Sequence, residues 1–152
     1  MKKVLKNEKE TLRFAEKFAK KLKGGEVIAL IGELGAGKTV FTKGLAKGLG
    51  IDDIVSSPTF LLMKCYKLGN GVSKWKPRSQ VKRLCHIDAY RLESADELED
   101  IGVMEHLGKK KTITVIEWAD RVEELFKNIK HIKIKLEHGK KEGERIIEIF
   151  NF

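Results

Sequence analysis

The chain has 152 residues, 41% of them hydrophobic and 35% charged, which fits one globular domain with a heavily charged surface. Its formal net charge is +9, from 31 Lys and Arg against 22 Asp and Glu, and the distribution of that charge says more than its sum. No apolar run approaches the roughly 20 residues of a membrane span. Lys2, Lys3 and Lys6 are followed by no apolar stretch, so neither a signal peptide nor an export route is expected, and a cytoplasmic location is.

Asn7 with Glu10 three residues on has the form of a capping box. Leu12, Ala15, Phe18, Ala19 and Leu22 then recur at helical spacing until Gly24-Gly25. Glu26 to Ile31 is a short apolar run between turn residues, which predicts a buried strand. Gly32 to Gly37 predicts a loop, and Lys38 to Leu49 a helix closed by Gly50. Strands are expected at Phe60–Leu68 and Arg83–Asp88. Ser94 with Glu97 predicts the start of a short acidic helix that Gly102 ends. Thr112–Ile116 reads as a strand ending at Glu117-Trp118, and a helix is expected from about Asp120 to Phe126. Ile129–Leu136 and Arg145–Phe150 then form a terminal hairpin. This order predicts a single α/β domain over 1–152, a mixed central sheet flanked by helices with antiparallel additions.

Cys65 and Cys85, the only cysteines, have no metal-ligand spacing and are expected to be two reduced thiols. Charge is segmented around them. No acid occurs between Asp53 and Asp88, whereas Lys64, Lys67, Lys74, Lys76, Arg78, Lys82 and Arg83 fall there and six acids follow from Glu93 to Glu105. This basic 64–83 segment either meets nucleic-acid phosphates, with Trp75 stacking on a base, or is a lysine-rich solvated face of the kind heat-stable proteins carry.

Gly32-Glu33-Leu34-Gly35-Ala36-Gly37-Lys38-Thr39 matches G-x-x-x-x-G-K-[ST] at every fixed position, between an apolar strand and a helix. A triphosphate presents oxygens on several sides, so such a loop turns backbone N–H groups inward, which Gly35 and Gly37 permit. The helix start adds free N–H groups and a positive dipole end. Lys38 is expected at the β- and γ-phosphates and the Thr39 hydroxyl at magnesium, with Val40 beside them. Hydrolysis also needs an acid at a neighbouring strand end and a group acting on the attacking water. Glu117, after Ile113–Ile116, has the Walker B pattern with Glu for Asp, and Asp88 ends Leu84–Ile87. Ser57-Pro58-Thr59 either watches the γ-phosphate or makes a turn and caps a strand.

The ordered set of Glu10-Thr11, the phosphate loop, Ser57-Pro58-Thr59-Phe60, His86-Ile87-Asp88-Ala89-Tyr90-Arg91-Leu92, Glu97-Leu98-Glu99-Asp100-Ile101-Gly102 and Ile116-Glu117-Trp118 resembles the TsaE family, long called YjeE. That resemblance implies a P-loop ATPase using ATP and Mg2+ in tRNA threonylcarbamoyladenosine formation, with the partners TsaB and TsaD. In the family the ATPase resets that complex rather than making the threonylcarbamoyl adenylate. It implies that Asp88 acts on the attacking water, that Glu117 serves the magnesium, and that Asn7 and Thr11 touch the nucleotide. The segment 69–83 is longer than the family's short connection and reads as a basic loop insertion. The competing readings are a small-molecule P-loop kinase, which needs lid arginines that this chain lacks as a group, and a nucleotide-dependent nucleic-acid-binding module. A guanine-reading N-K-x-D stretch is absent from the sequence.

Overall fold

The computed structural model describes residues 1–51, 55–58, 60–69 and 80–151. Thr59 and the insertion residues Lys74, Trp75, Lys76 and Arg78 lie outside the described residues. In chain order the elements are β1 (Lys2–Leu5), α1 (Glu8–Ala19), β2 (Val27–Ile31), α2 (Lys38–Gly48), β3 (Met63–Lys67) and β4 (Arg83–Asp88), then α3 (Asp96–Asp100), β5 (Thr112–Glu117), β6 (His131–His138) and β7 (Arg145–Phe150). Short 3-10 turns occupy Val103–Glu105, Ala119–Arg121 and Glu123–Leu125.

The strands form one mixed sheet in the order β1-β7-β6-β2-β5-β4-β3. Its centre, β6-β2-β5-β4, is parallel, and β3 on one edge with β7 and β1 on the other pair antiparallel. Within it β2 and β5 are buried on both faces and show no alternation of burial, whereas β6, with Lys133, Lys135 and Glu137 on its less buried side, alternates. Successive side chains are sorted between two cores. Ile28, Leu30, Ile113 and Val115 pack under Phe18, Phe41 and Leu45 of the two long helices. Val27, Ala29, Ile87 and Ile116 pack under Leu98, Val103, Val122 and Phe126 on the opposite face.

Two helical pairs of small residues set the distance between α1 and α2. A Cβ on Gly44 would stand 2.5 Å from the Leu12 carbonyl oxygen and 2.6 Å from the Ala15 Cβ. One on Gly48 would stand 2.4 Å from the Glu16 oxygen and 2.7 Å from the Ala19 Cβ. The helices therefore meet nearly backbone to backbone, and α1 braces the helix that follows the phosphate loop.

Several expectations are corrected. The helix expected at 120–126 is two 3-10 turns, because Trp118 is left-handed (φ 58°) and Val122 (φ −135°) breaks the spiral between them. The strand expected from Phe60 starts at Met63, since Phe60 and Leu61 are exposed in a turn and Leu62 has φ 60°. The lysine-rich β1 was not anticipated; it is an edge strand, where lysine is commonly found. Asn7 does cap α1, its Oδ1 accepting from the Glu10 N–H at 3.0 Å, but the Glu10 carboxylate reaches the Lys6 N–H. At α3 only the Glu97 side of the box forms, accepting from Glu93 and Ser94 N–H groups. Finally, Cys65 and Cys85 are not reduced thiols. They face each other in the β3–β4 register with Cα atoms 4.0 Å apart and form a disulfide. Among the described residues no helix is long and apolar enough to cross a membrane.

Candidate functional site

The site is built where three parallel strands end side by side. In the β4–β5 register Asp88 lies opposite Glu117, and in the β2–β5 register Leu30 does. The chain leaving β2 therefore turns directly over two buried carboxylates, at the strand ends where open α/β sheets hold ligands. Gly32 begins that turn with φ 154°, and a Cβ there would lie 2.2 Å from the Leu136 carbonyl oxygen. Only glycine lets the loop pass so close to β6. Gly37 has φ 99° and no side chain caps α2, so the first N–H groups of that helix face an incoming anion.

Lys38 is buried and bends back onto its own loop. Its Nζ donates to the carbonyls of Gly32 at 2.6 Å and Glu33 at 2.8 Å, and sits 3.7 Å from the centre of the Trp118 ring. Burial pulls its pKa below the ordinary 10.5, while the negative charges of Glu117, Asp88 and Asp120 act in the opposite sense. Trp118 holds its ring there from a left-handed backbone, an unfavourable conformation for a bulky residue. Tyr90 packs against the same ring, 4.9 Å between centres.

Glu117 is almost wholly buried and has three partners. Thr39 donates to its Oε2 at 3.0 Å, His86 Nε2 lies 2.7 Å from its Oε1, and the Thr42 hydroxyl is 3.4 Å from the same oxygen. An ionised carboxylate only accepts, so in this contact His86 donates from Nε2 to the Glu117 carboxylate. Asp88 accepts from the Ser57 hydroxyl at 2.5 Å and from the Tyr90 N–H at 3.0 Å. The Thr39 hydroxyl and the Glu117 carboxylate, with Asp88 across the strands, are hard oxygen donors at the loop's mouth. That donor set suits Mg2+ completed by water and phosphate oxygens, and does not suit a thiophilic ion.

From the far side, the β6–β7 hairpin grips the loop. His138 Nε2 is 3.2 Å from the Leu34 carbonyl and Arg145 Nη2 donates to the Gly35 carbonyl at 2.9 Å. With its carbonyl drawn outward by His138, the Leu34–Gly35 peptide turns its Gly35 N–H to the other side, while the Ala36 N–H closes the loop on the Glu33 carbonyl at 3.1 Å.

The cleft so formed encloses about 510 Å³. Leu34, Gly35, Gly37, Lys38, Thr39, Val40, Asp88 and Glu117, all expected at the site, line it together. Glu33 contributes its carbonyl to Lys38, and Ala36 is buried in the core. Ser57 also lines the cleft, with its hydroxyl on Asp88. Asn7 and Thr11 do not line it. Asn7 caps α1, and the buried Thr11 hydroxyl donates to the Asn7 carbonyl at 3.3 Å, whereas Glu8 beside them reaches the cleft. Residue reasoning missed Arg145, Gly143 and the role of His86. The spacing His86-x-Asp88 carried a signal for the last, since residues two apart on a strand share a face. Nothing local marks Arg145.

Comparison with known proteins follows the same lines. The family model for threonylcarbamoyl adenosine biosynthesis protein TsaE matches residues 5–147. The chain is 44% identical over 118 residues to the tRNA threonylcarbamoyladenosine biosynthesis protein TsaE of Bacillus subtilis, covering 78% of this chain and 66% of that one. It is 39% identical over 121 residues to the Streptomyces coelicolor protein of the same description, covering 78% and 74%. The crystal structure of Bacillus subtilis YdiB superposes with a TM-score of 0.71 at 32% identity, over 97% of this chain and 82% of that one.

Proposed function

The chain belongs to the TsaE family, and from that premise we propose that it is a magnesium-dependent ATPase of tRNA threonylcarbamoyladenosine biosynthesis, acting in the cytoplasm with TsaB and TsaD. The observation that carries the reading is the Thr39–Glu117 contact at 3.0 Å directly beneath the phosphate loop. It joins a P-loop hydroxyl to a strand-end carboxylate, as a Mg–triphosphate site requires.

The residues divide the work. Backbone N–H groups of Gly35, Gly37 and Lys38 at the α2 N-terminus hold the phosphate chain, the Ala36 N–H being taken by the Glu33 carbonyl. Lys38 exchanges two neutral carbonyls for phosphate oxygens, a stronger charge-assisted interaction that also supports its positive charge. Thr39 and Glu117 would hold Mg2+, and His86 and Thr42 keep the Glu117 carboxylate from turning away. The ion would neutralise charge on the β- and γ-phosphate oxygens. Asp88, fixed by Ser57 and the Tyr90 N–H, orients the attacking water and accepts its proton.

The test is phosphate release from ATP by the chain alone, then with TsaB and TsaD of the same source. No magnesium-dependent release under either condition would refute the ATPase reading. Release in the absence of any acceptor separates it from a small-molecule kinase.

A further inference from the structure

The two cysteines, unremarkable by spacing, acquire a third donor in the fold. The strands β3 and β4 put Cys65 directly opposite Cys85, and the 3-10 turn after α3 brings His106 over them. The two sulfurs and a His106 ring nitrogen all lie within 4.8 Å of one another. His106 is held from two sides: its N–H donates to the Val103 carbonyl at 3.0 Å, and its carbonyl accepts from the Thr114 hydroxyl at 3.3 Å. Thr114 in turn is the β5 residue opposite Cys85. Cys85 is buried, His106 half-buried and Cys65 exposed, so the cluster opens to solvent at the sheet edge.

We propose that Cys65, Cys85 and His106 form a site for a thiophilic divalent cation, Zn2+, available when the disulfide is reduced. Tetrahedral zinc with Zn–S bonds of about 2.3 Å sets its sulfurs about 3.8 Å apart. Side chains that can touch across one ladder rung reach that separation by χ1 rotation alone. The imidazole supplies the third ligand, and the exposed side leaves a fourth position for water. Soft thiolates with one imidazole select zinc over magnesium, so this site and the oxygen-lined cleft would not compete for one ion.

The chemistry balances without a hidden partner. A dithiol reductant gives two electrons and two protons to the Cys65–Cys85 bond and leaves as its own disulfide. Binding of the cation then releases both thiol protons. Disulfide and metal are thus alternative ties between the same two strands.

The experiment uses the full chain reduced with a phosphine under nitrogen and titrated with Co2+, then Zn2+. These are the chain's only cysteines, so thiolate-to-cobalt charge-transfer absorption reports this site alone. The expected result is one Co2+ per chain, displaced by Zn2+, no band in the oxidised protein, and at least ~10-fold weaker binding in His106→Gln. No band in the reduced protein, or unchanged affinity in His106→Gln, would overturn the proposal. Should the variant fail to fold, thiol alkylation of the reduced wild type decides. Zn2+ should slow it strongly, and equal rates with and without Zn2+ would also overturn the site.

Discussion

His138 and Arg145 face each other across the β6–β7 ladder and take hold of two successive carbonyls of the phosphate loop, those of Leu34 and Gly35. A hairpin more than a hundred residues away in sequence thus fixes peptide planes in the cradle. The Arg145 bond has a charged donor and should contribute about 1.5–3 kcal/mol, against about 0.5–1.5 kcal/mol for a neutral His138 bond. Arg145→Ala should therefore weaken ATP and ADP binding by roughly 10–100-fold, and His138→Ala by less. Calorimetric titration with both nucleotides is the check; equal affinities in Arg145→Ala and wild type would show that the grip does not matter.

His86 does not itself line the cleft, yet its Nε2 is 2.7 Å from the carboxylate proposed to hold magnesium. Removing such an orienting partner commonly costs 10–100-fold in metal affinity or activity. In His86→Leu the magnesium concentration for half-maximal ATP hydrolysis should rise by about that factor, while metal-free ADP binding stays put. A magnesium dependence identical to wild type would leave His86 as simple core packing.

Asp88 and Glu117 occupy one register position but have different partners, a hydroxyl and an N–H for the first, two hydroxyls and an imidazole for the second. Asp88→Asn should keep nucleotide affinity and lower turnover by on the order of 10²-fold or more. Single-turnover rates beside equilibrium binding separate the two quantities. A fall in affinity with turnover intact would reverse the assignment.

The phosphate loop, the strand-end acids and the parallel core were legible because each is a local pattern: a fixed spacing, or an apolar run closed by an acid. What escaped depends on pairing between distant segments. Arg145 matters only because β7 returns antiparallel to β6. The Cys65–Cys85 bond follows from a β3–β4 register that no spacing rule encodes. The expected 120–126 helix failed through the left-handed Trp118, a backbone cost accepted where the ring must lie against Lys38.

The backbone contact of α1 with α2 predicts a stability effect far from the chemistry. Alanine at Gly48 would gain about 1 kcal/mol of helix propensity. Its Cβ, however, would meet the Glu16 oxygen at 2.4 Å and the Glu16 Cα at 2.9 Å, backbone atoms that cannot rotate aside. Overpacking of this kind costs about 1–3 kcal/mol, occasionally more. Three approaches under 3 Å put this clash in the upper part of that range, about 2–3 kcal/mol, so Gly48→Ala should lose about 1–2 kcal/mol net, visible as a Tm lower by roughly 2–8 °C for a domain of this size. An unchanged or raised Tm would mean that the helices separate freely.

On the proposed function Lys38 should carry the opposite balance, serving the nucleotide at the expense of the empty protein. Burial holds its pKa below 10.5 in the folded chain, so the folded state binds the proton less tightly than the unfolded state does. The resulting penalty is fully present below the folded pKa and is relieved as pH rises through it toward 10.5. Lys38→Met keeps much of the stem and removes the charge, so without nucleotide it should be at least as stable as wild type at neutral pH. The advantage should shrink as pH climbs toward 10.5, because there the wild-type lysine can shed its proton. Nucleotide should reverse the ranking. A ligand at 100 times its Kd stabilises by about 2.7 kcal/mol, an increment the variant should lose. Thermal melts of both proteins with and without ATP, across neutral to alkaline pH, read all three effects. A Lys38→Met protein that is less stable when empty, or that still gains the full shift with ATP, contradicts this account.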